Sequence, residues 1–169
     1  HVKDAIGRRW QLSTIQVDFA QPDNFKLEYV SKDNIKQKPV MIHRALLGSI
    51  ERFTGILIEH YNGLLPGWLA PLQVVVISLN SEVDEYSESI LKKIKKYRTI
   101  HDTTNARLSE KIKKYKLQKI PVIIVVGNND MQNDTIAINF SDGRNEQNIT
   151  KKEGLRIIND YLKVPKLKI

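Results

Sequence analysis

The residues best suited to chemistry lie at a predicted junction between a buried strand and a helix, within residues 39–53. Gly48 allows another backbone to approach closely, Ser49 is a typical helix N-cap, and Arg52 falls in the first helical turn. Backbone N–H groups at a helix N-terminus can hold phosphate oxygens, and a guanidinium strengthens such a site. These residues are consistent with a nucleotide site, while an ordinary amphipathic packing helix is the alternative.

The first predicted strand, residues 10–19, changes its apolar phase at Ser13. A β-bulge near Ser13 would explain the change and would turn Gln11, Thr14 and Gln16 to one face of the strand. Bulges often redirect polar side chains beside active sites, so these three residues are candidates for the same site. A sheet edge that is exposed on alternating faces is the other interpretation.

The chain contains no cysteine and four histidines, so histidine is its only soft metal ligand. His43 lies in the predicted strand, between Ile42 and Arg44. A single histidine in this position is either a hydrogen-bonded core side chain or a metal ligand. The residues alone leave both interpretations open.

The formal net charge of this 169-residue chain is +8, and it is unevenly distributed. Residues 1–71 carry 9 basic and 7 acidic groups, whereas residues 72–169 carry 18 and 12. A positive field attracts nucleic acid because cations displace the counterions of phosphates, although lysine-rich faces also serve solubility. No apolar run approaches the roughly 20 residues of a membrane-spanning helix, and no signal peptide is recognisable, so we expect a cytoplasmic protein.

Two glycines and two prolines within residues 62–71 interrupt a long apolar stretch and predict a domain boundary after Pro71. In residues 1–71, short apolar runs alternate with turn residues, which predicts antiparallel strands followed by a helix. Residues 21–24, with a proline, an aspartate and an asparagine, are predicted to form one of these turns.

Residues 72–169 alternate buried strands and amphipathic helices in a βαβαβ order, which predicts largely parallel strands. A hairpin turn at residues 141–144 and a last helix that begins after Thr150 complete this domain. The predicted fold class is therefore α/β, with an α+β first part.

The five residues from Gly48 to Arg52 resemble motif 3 of the class II aminoacyl-tRNA synthetases. More narrowly, several segments resemble the threonyl-tRNA synthetase family, in register from about Val2 to the last predicted helix. These segments are Trp10-Gln11, Thr14-Ile15-Gln16, Ile42-His43-Arg44-Ala45, Gly48-Ser49, Trp68-Leu69-Ala70-Pro71 and Gln118-Lys119-Ile120-Pro121. The resemblance covers nearly the whole chain and is more specific than any single motif.

The resemblance implies that residues 1–71 form the end of the antiparallel class II catalytic sheet and that residues 72–169 form an α/β anticodon-binding domain with a mixed sheet. It also implies ATP-dependent ligation of threonine to its cognate tRNA, tRNA(Thr), through a threonyl-adenylate, with zinc (Zn) and with ATP bound as its magnesium (Mg) complex. Motifs 1 and 2 and two further zinc ligands would lie upstream. We therefore expect the chain to be the C-terminal part of a homodimeric enzyme and to be inactive alone.

Site residues are implied position by position. Arg52 would be the catalytic cation that holds the triphosphate while charge moves during adenylation. The implied ATP contacts are Gln11, Thr14, Ser49 and Arg52. Gln16 would contact threonine, and His43 would bind zinc and, through zinc, the amino and hydroxyl groups of threonine.

In the second domain the resemblance implies that Asn105, Lys119 and Asp130 contact the anticodon. Thr103-Thr104 departs from the usual Leu-Arg of the family, and Asn139 stands where an arginine is common. Two groups of lysines add nonspecific attraction for phosphate or are simply solvated. These groups are Lys92, Lys93, Lys95 and Lys96, and Lys111, Lys113, Lys114 and Lys116.

Two other functions are considered. A noncatalytic RNA-binding paralogue could keep the anticodon-binding domain, but it would not need Gln11, His43 and Arg52 together. A prolyl- or glycyl-tRNA synthetase is disfavoured by His43, which those families do not use for zinc.

Overall fold

The computed structural model describes residues 1–166 and divides the chain into two compact units, His1–Tyr61 and Asn62–Ile169. The last three residues of the predicted second domain, 167–169, lie outside the described residues. Among the helices of residues 1–166, none is long and apolar enough to cross a membrane. Each of the two units has its own strands and helices.

The first unit consists of short antiparallel ladders and one longer helix. Strand β1 (Val2–Lys3) pairs with β2 (Arg9–Trp10), β3 (Thr14–Asp18) with β6 (Met41–Ala45), and β4 (Tyr29–Val30) with β5 (Lys36–Gln37). Helix α1 (Ala20–Asn24) follows β3, and helix α2 (Ile50–His60) follows β6. The predicted antiparallel strands and the Ser49 N-cap of the last helix are confirmed.

Two local predictions in this unit are wrong. Residues 21–24 belong to helix α1 instead of a turn. The N-cap position is Phe19, and the carboxylate of Asp18 just before it accepts hydrogen bonds from the backbone N–H groups of Ala20 and Gln21 at the start of the helix. The bulge expected at Ser13 is a complete break of the strand over residues 11–13, which separates β2 from β3.

The second unit contains a five-stranded mixed sheet in the order β11-β10-β9-β7-β8. Its strands are β7 (Val74–Ser78), β8 (Thr99–Asp102), β9 (Val122–Val126), β10 (Thr135–Phe140) and β11 (Asn145–Thr150). The helices are α3 (Asp84–Lys93), preceded by a 3₁₀ turn (Ser81–Val83), α4 (Leu108–Leu117), α5 (Asn128–Asn133) and α6 (Lys151–Tyr161). The predicted βαβαβ order, the hairpin between β10 and β11 and the α/β fold class are confirmed.

Strands β7 and β9 form the centre of this sheet, and all five residues of each are buried. On one face Val74 and Val76 pack with residues of α3 and α6, such as Ile90 and Ile158. On the other face Val75 packs with residues of α4. Continuous apolar strands are expected where both faces of a parallel sheet are covered.

The structure groups residues 62–71 with the second unit. The division between the units, after Tyr61, therefore lies ten residues before the predicted boundary after Pro71. The Arg98 guanidinium donates hydrogen bonds to the backbone oxygens of Trp68, Ala70 and Pro71. The side-chain amide of Gln73 donates to the Gly67 oxygen over 2.8 Å. These bonds attach the segment to the edge of the sheet.

A polypeptide of residues 62–169 is therefore expected to be more stable than one of residues 72–169. The shorter chain leaves the Arg98 and Gln73 donors without these acceptors, so the free energy of unfolding should fall by about 1 to 3 kcal/mol. Urea denaturation of both polypeptides measures the difference. Equal unfolding free energies would support the boundary after Pro71.

Candidate functional site

Gly48 fixes the junction between β6 and α2. Its φ is +64°, and a Cβ atom at this position would lie only 3.0 Å from the backbone oxygen of Leu12. Any other L-residue would be strained there and would also collide with the backbone. The residues just before α2 therefore lie directly against the break between β2 and β3, which contains Gln11.

Ser49 caps helix α2 as the sequence predicts. Its Oγ accepts from the backbone N–H of Arg52 over 3.3 Å and donates to Glu51 Oε2 over 2.6 Å. The hydrogen bond from Ser49 is the main reason that the pKa of Glu51 is lowered, and a hydrogen bond from the backbone N–H of Glu51 to its own carboxylate adds to it. The N-terminus of α2 is thus ordered before any ligand binds.

Arg52 lies over the indole of Trp10, with its guanidinium carbon 5.5 Å from the ring centroid. The indole is itself held, because its Nε1–H donates to Asp4 Oδ2 over 2.8 Å. Burial by itself would raise the pKa of Asp4, but hydrogen bonds from Trp10 and Arg8 lower it to about 2. The buried Asp4 carboxylate therefore holds the Trp10 indole by a hydrogen bond, and the indole in turn contacts the Arg52 guanidinium.

One face of the β3–β6 ladder carries polar side chains. Gln16 lies directly opposite His43, and Thr14 lies opposite Ala45. Asp18 belongs to the same face, and its Oδ2 is 3.0 Å from Nε2 of His43. Hydrogen bonds from the backbone of Gln21 and from His43 hold the pKa of Asp18 below its usual value.

Sequence reasoning did not select Asp18. The signal was present, since Thr14, Gln16 and Asp18 alternate with apolar residues along one strand and so must share a face. A carboxylate that hydrogen-bonds one nitrogen of an imidazole orients the ring and sets which nitrogen is free to bind elsewhere.

His43 and Asp18 carry atom types that bind zinc in proteins. An imidazole nitrogen and a carboxylate oxygen are both zinc ligand types, and His43 and Asp18 provide them side by side. Within residues 1–166, however, three potential metal-ligating side chains do not come together anywhere. The described residues therefore place two side chains of zinc-ligand type together, which is fewer than the three protein ligands that a zinc site needs.

In the second unit, Asn105 and Asp130 lie at the same edge of the sheet. Asn105 follows β8 and Asp130 follows β9, and both strands run parallel to β7. The Asn105 side chain is exposed in the loop of residues 103–107. Parallel alignment therefore brings these two predicted anticodon contacts to one edge.

Lys119 lies at the opposite edge, because it precedes β9 instead of following it. Asn139 is its neighbour there, since it pairs with Ile123 near the start of β9. Both line a cavity of about 240 Å³ together with Lys116, Phe140, Ser141 and other residues. The three predicted anticodon contacts are thus divided between the two ends of α4.

Asp130 is already engaged within the protein. Its Oδ2 accepts from the backbone N–H of Gly127 over 3.0 Å, and its Oδ1 accepts from Thr135 Oγ1 over 3.1 Å. Each carboxylate oxygen retains a second lone pair, so the side chain can still accept a hydrogen bond from a ligand. Its internal bonds fix the start of α5.

The two predicted lysine groups occupy different faces of the sheet. Lys92, Lys93, Lys95 and Lys96 belong to α3 and the residues after it, whereas Lys113, Lys114 and Lys116 belong to α4 on the other face. The expectation that Lys111 is solvated is wrong, because it is 3% exposed and its Nζ is 3.3 Å from Asp102 Oδ1. The α4 lysines share the face that carries Asn139.

Comparison with known proteins gives matches over both units. Residues 73–161 match the family model described as the anticodon binding domain. Residues 1–61 match the model of the tRNA synthetase class II core domain (G, H, P, S and T). These two matches follow the two units of the structure closely.

Similar sequences are threonine--tRNA ligases. That of Aquifex aeolicus is 50% identical over 155 residues, which are 90% of this chain and 23% of the relative. That of Corynebacterium jeikeium is 43% identical over 162 residues, 95% of this chain and again 23% of the relative. The chain thus spans about a quarter of the length of these relatives.

Among solved structures, the RNA binding domain of threonyl-tRNA synthetase from Cryptosporidium parvum Iowa II superposes with a TM-score of 0.82 at 30% sequence identity. The superposition covers 94% of this chain and 41% of that one. In this chain a segment of the class II core domain precedes the anticodon binding domain, and the similar sequences and structures are those of threonyl-tRNA synthetases. The chain therefore belongs to the anticodon binding domain family, as it occurs in the threonyl-tRNA synthetases.

Proposed function

We propose that this chain takes part in the ATP-dependent ligation of threonine to tRNA(Thr) through a threonyl-adenylate, with its first unit at the reaction centre and its second unit on the anticodon. The observation that carries the proposal is the joint match of the two units to a class II core segment and an anticodon binding domain. The longer protein would act as a homodimer, as the family resemblance implies, and in the cytoplasm.

ATP is assigned to the β6–α2 junction. The capped N-terminus of α2 offers backbone N–H groups and the positive end of a helix dipole, both of which favour phosphate. Arg52 adds a cation, and its position over Trp10 means that little side-chain freedom is lost when a ligand binds. Gln11, Thr14 and Ser49 surround this junction and complete the proposed ATP contacts.

Threonine is assigned to the polar face of β3 and β6. Gln16 offers a donor and an acceptor opposite His43, and His43 would contribute one zinc ligand. Zinc, when bound, supplies open coordination positions for the amino and hydroxyl groups of the amino acid. Asp18 would orient the His43 ring through the hydrogen bond to its Nε2.

The anticodon is assigned to the surface of the second unit that carries Asn105, Lys119 and Asp130, which includes the α4 face. Asn105 can donate and accept, which suits a base edge, while Lys119 and the exposed α4 lysines attract phosphate. Asp130 would accept from a base amine or imine with its remaining lone pairs.

Replacing Arg52 by alanine in the longer protein is expected to reduce threonine-dependent ATP–pyrophosphate exchange by about two orders of magnitude, because one preorganised cation is lost from the charge-moving step. Arg9→Ala is the matched control, since Arg9 is an exposed arginine of the same unit. An Arg52→Ala variant with the exchange rate of the Arg9→Ala variant would refute the ATP assignment.

Replacing Asn105 by alanine should weaken binding of cognate tRNA by about 1 to 3 kcal/mol and leave a tRNA with an exchanged anticodon almost unaffected. Binding titrations with both tRNAs measure this difference. Equal losses on both tRNAs would show that Asn105 contacts the RNA backbone and reads no base.

Removing one α4 lysine by Lys113→Ala should weaken both tRNAs alike and reduce the slope of log affinity against log salt by about one. Lys93→Ala is the control, because Lys93 is an exposed lysine on the opposite face of the sheet. Salt titrations with equal effects for the two variants would place the RNA elsewhere.

The isolated chain is expected to retain little zinc after dialysis, because residues 1–166 do not bring three potential ligands together. The longer protein should retain about one zinc per subunit, and His43→Ala should lower that content. Elemental analysis checks both. One tightly bound zinc in the isolated chain would contradict the proposed division of the ligands.

A further inference from the structure

Asp102 ends β8 as a buried carboxylate that is 4% exposed. Its Oδ1 accepts from the backbone N–H and the hydroxyl of Thr104, over 2.9 and 2.6 Å. Its Oδ2 accepts from the hydroxyl of Tyr115 over 2.7 Å. The first residues after β8 are therefore fixed to a carboxylate inside the protein.

Lys111 and Tyr115 bring α4 to the same carboxylate. Both are 3% exposed, and the Lys111 ammonium is 3.3 Å from Asp102 Oδ1 and donates to the Ser78 oxygen at the end of β7 over 3.2 Å. Burial would raise the pKa of Asp102, but these hydrogen bonds and the lysine charge hold it well below its usual value. Burial and the bond to Asp102 raise the pKa of Tyr115 to about 12.

Stability alone gives no reason for this arrangement. A buried ion pair loses its hydration, and apolar side chains of the same volume often stabilise a protein as well or better. What an ion pair with directed hydrogen bonds does supply is a defined geometry. Here it fixes the start of one loop, because residues 103–107 directly follow Asp102 and Thr104 is hydrogen-bonded to its carboxylate.

We propose that Asp102, Lys111 and Tyr115 are positioning residues for anticodon reading, which hold the loop of residues 103–107 so that the Asn105 amide meets a base edge. This inference rests on the proposed function of Asn105. Hydrogen bonds to a base depend strongly on distance and angle, whereas attraction between lysines and phosphates does not. A loosened loop therefore loses discrimination before it loses affinity for RNA in general.

Tyr115→Phe is the variant that tests this, because it removes the hydroxyl that donates to Asp102. The same hydroxyl accepts from Lys114 Nζ over 3.4 Å, but the ring beneath the Lys114 ammonium is kept, and a change in the salt slope would reveal any effect through Lys114. Tyr97→Phe is the matched control. The Tyr97 hydroxyl likewise donates to a side chain, Asn159 Oδ1 at 2.7 Å, but Tyr97 packs on the other face of the sheet. The chain of 169 residues is titrated with cognate tRNA and with a tRNA of exchanged anticodon.

Tyr115→Phe is expected to weaken cognate binding about threefold to tenfold, while binding of the exchanged tRNA and the salt slope stay the same. Tyr97→Phe should change neither. In an Asn105→Ala background, Tyr115→Phe should have no further effect on cognate binding, since a positioning residue acts through the residue it positions.

The outcomes separate the two proposals. If Asn105→Ala itself shows no selective loss, base reading by Asn105 is wrong, and the positioning role falls with it. If Asn105→Ala is selective, three results for Tyr115→Phe would show that only the positioning role is wrong. These are an equal loss on both tRNAs, an equal loss of cognate binding with and without Asn105→Ala, and no change at all. Thermal unfolding of each variant identifies any loss that comes from an unfolded fraction.

Discussion

Parallel pairing of β7 with both β8 and β9 is the constraint on which the second unit depends. Because all three strands run in one direction, their carboxyl ends meet at one edge, and the loops that leave β8 and β9 lie there on either side of the loop that leaves β7. The apolar residues of β7 and β9 keep this pairing in place by burying both faces of the sheet. Polar residues at the edge can then be exposed without loss of the core.

The first unit relies on a different constraint, which is the close contact of two backbones at Gly48 and Leu12. This contact joins segments that are more than thirty residues apart in sequence and gives them one common surface. The Asp4 carboxylate strengthens the same region, since it holds the indole that lies under Arg52. Local backbone geometry and one buried charge thus position the cation.

Elements with a strong local signal could be predicted from the sequence. The five apolar residues of β9, the Ser49 cap and the hairpin before β11 follow from periodicity and turn chemistry. Helix α1 was missed because Pro22, Asp23 and Asn24 are turn residues by type, whereas the helix start is held by hydrogen bonds from Ala20 and Gln21 to the Asp18 carboxylate. The deciding hydrogen bonds are local, since they join residues two and three positions apart, but composition alone does not show that they form.

The buried cluster around Asp102 was missed for a similar reason. Lys111 stands in a run of lysines and looks solvated, although the helical period places it one turn from Leu108 and Tyr115 on the inner side of α4. Only the structure shows that the buried Asp102 carboxylate lies beside the Lys111 ammonium. The division of the site residues between two edges depends on strand direction, because Asn105 and Asp130 follow their strands and Lys119 precedes its strand, and β8 and β9 are both parallel to β7.

Under the proposed function, the positions of Asn105 before α4 and of Lys119 after it set the length that the RNA contact would span. The ten residues of α4 extend about 15 Å along the sheet. Stacked nucleotides advance about 3.4 Å each, so three stacked bases fall short of that distance. Under the proposed function, a triplet whose bases reached from one end of α4 to the other would have to be splayed apart, and splaying exposes the base edges that an asparagine amide is able to read.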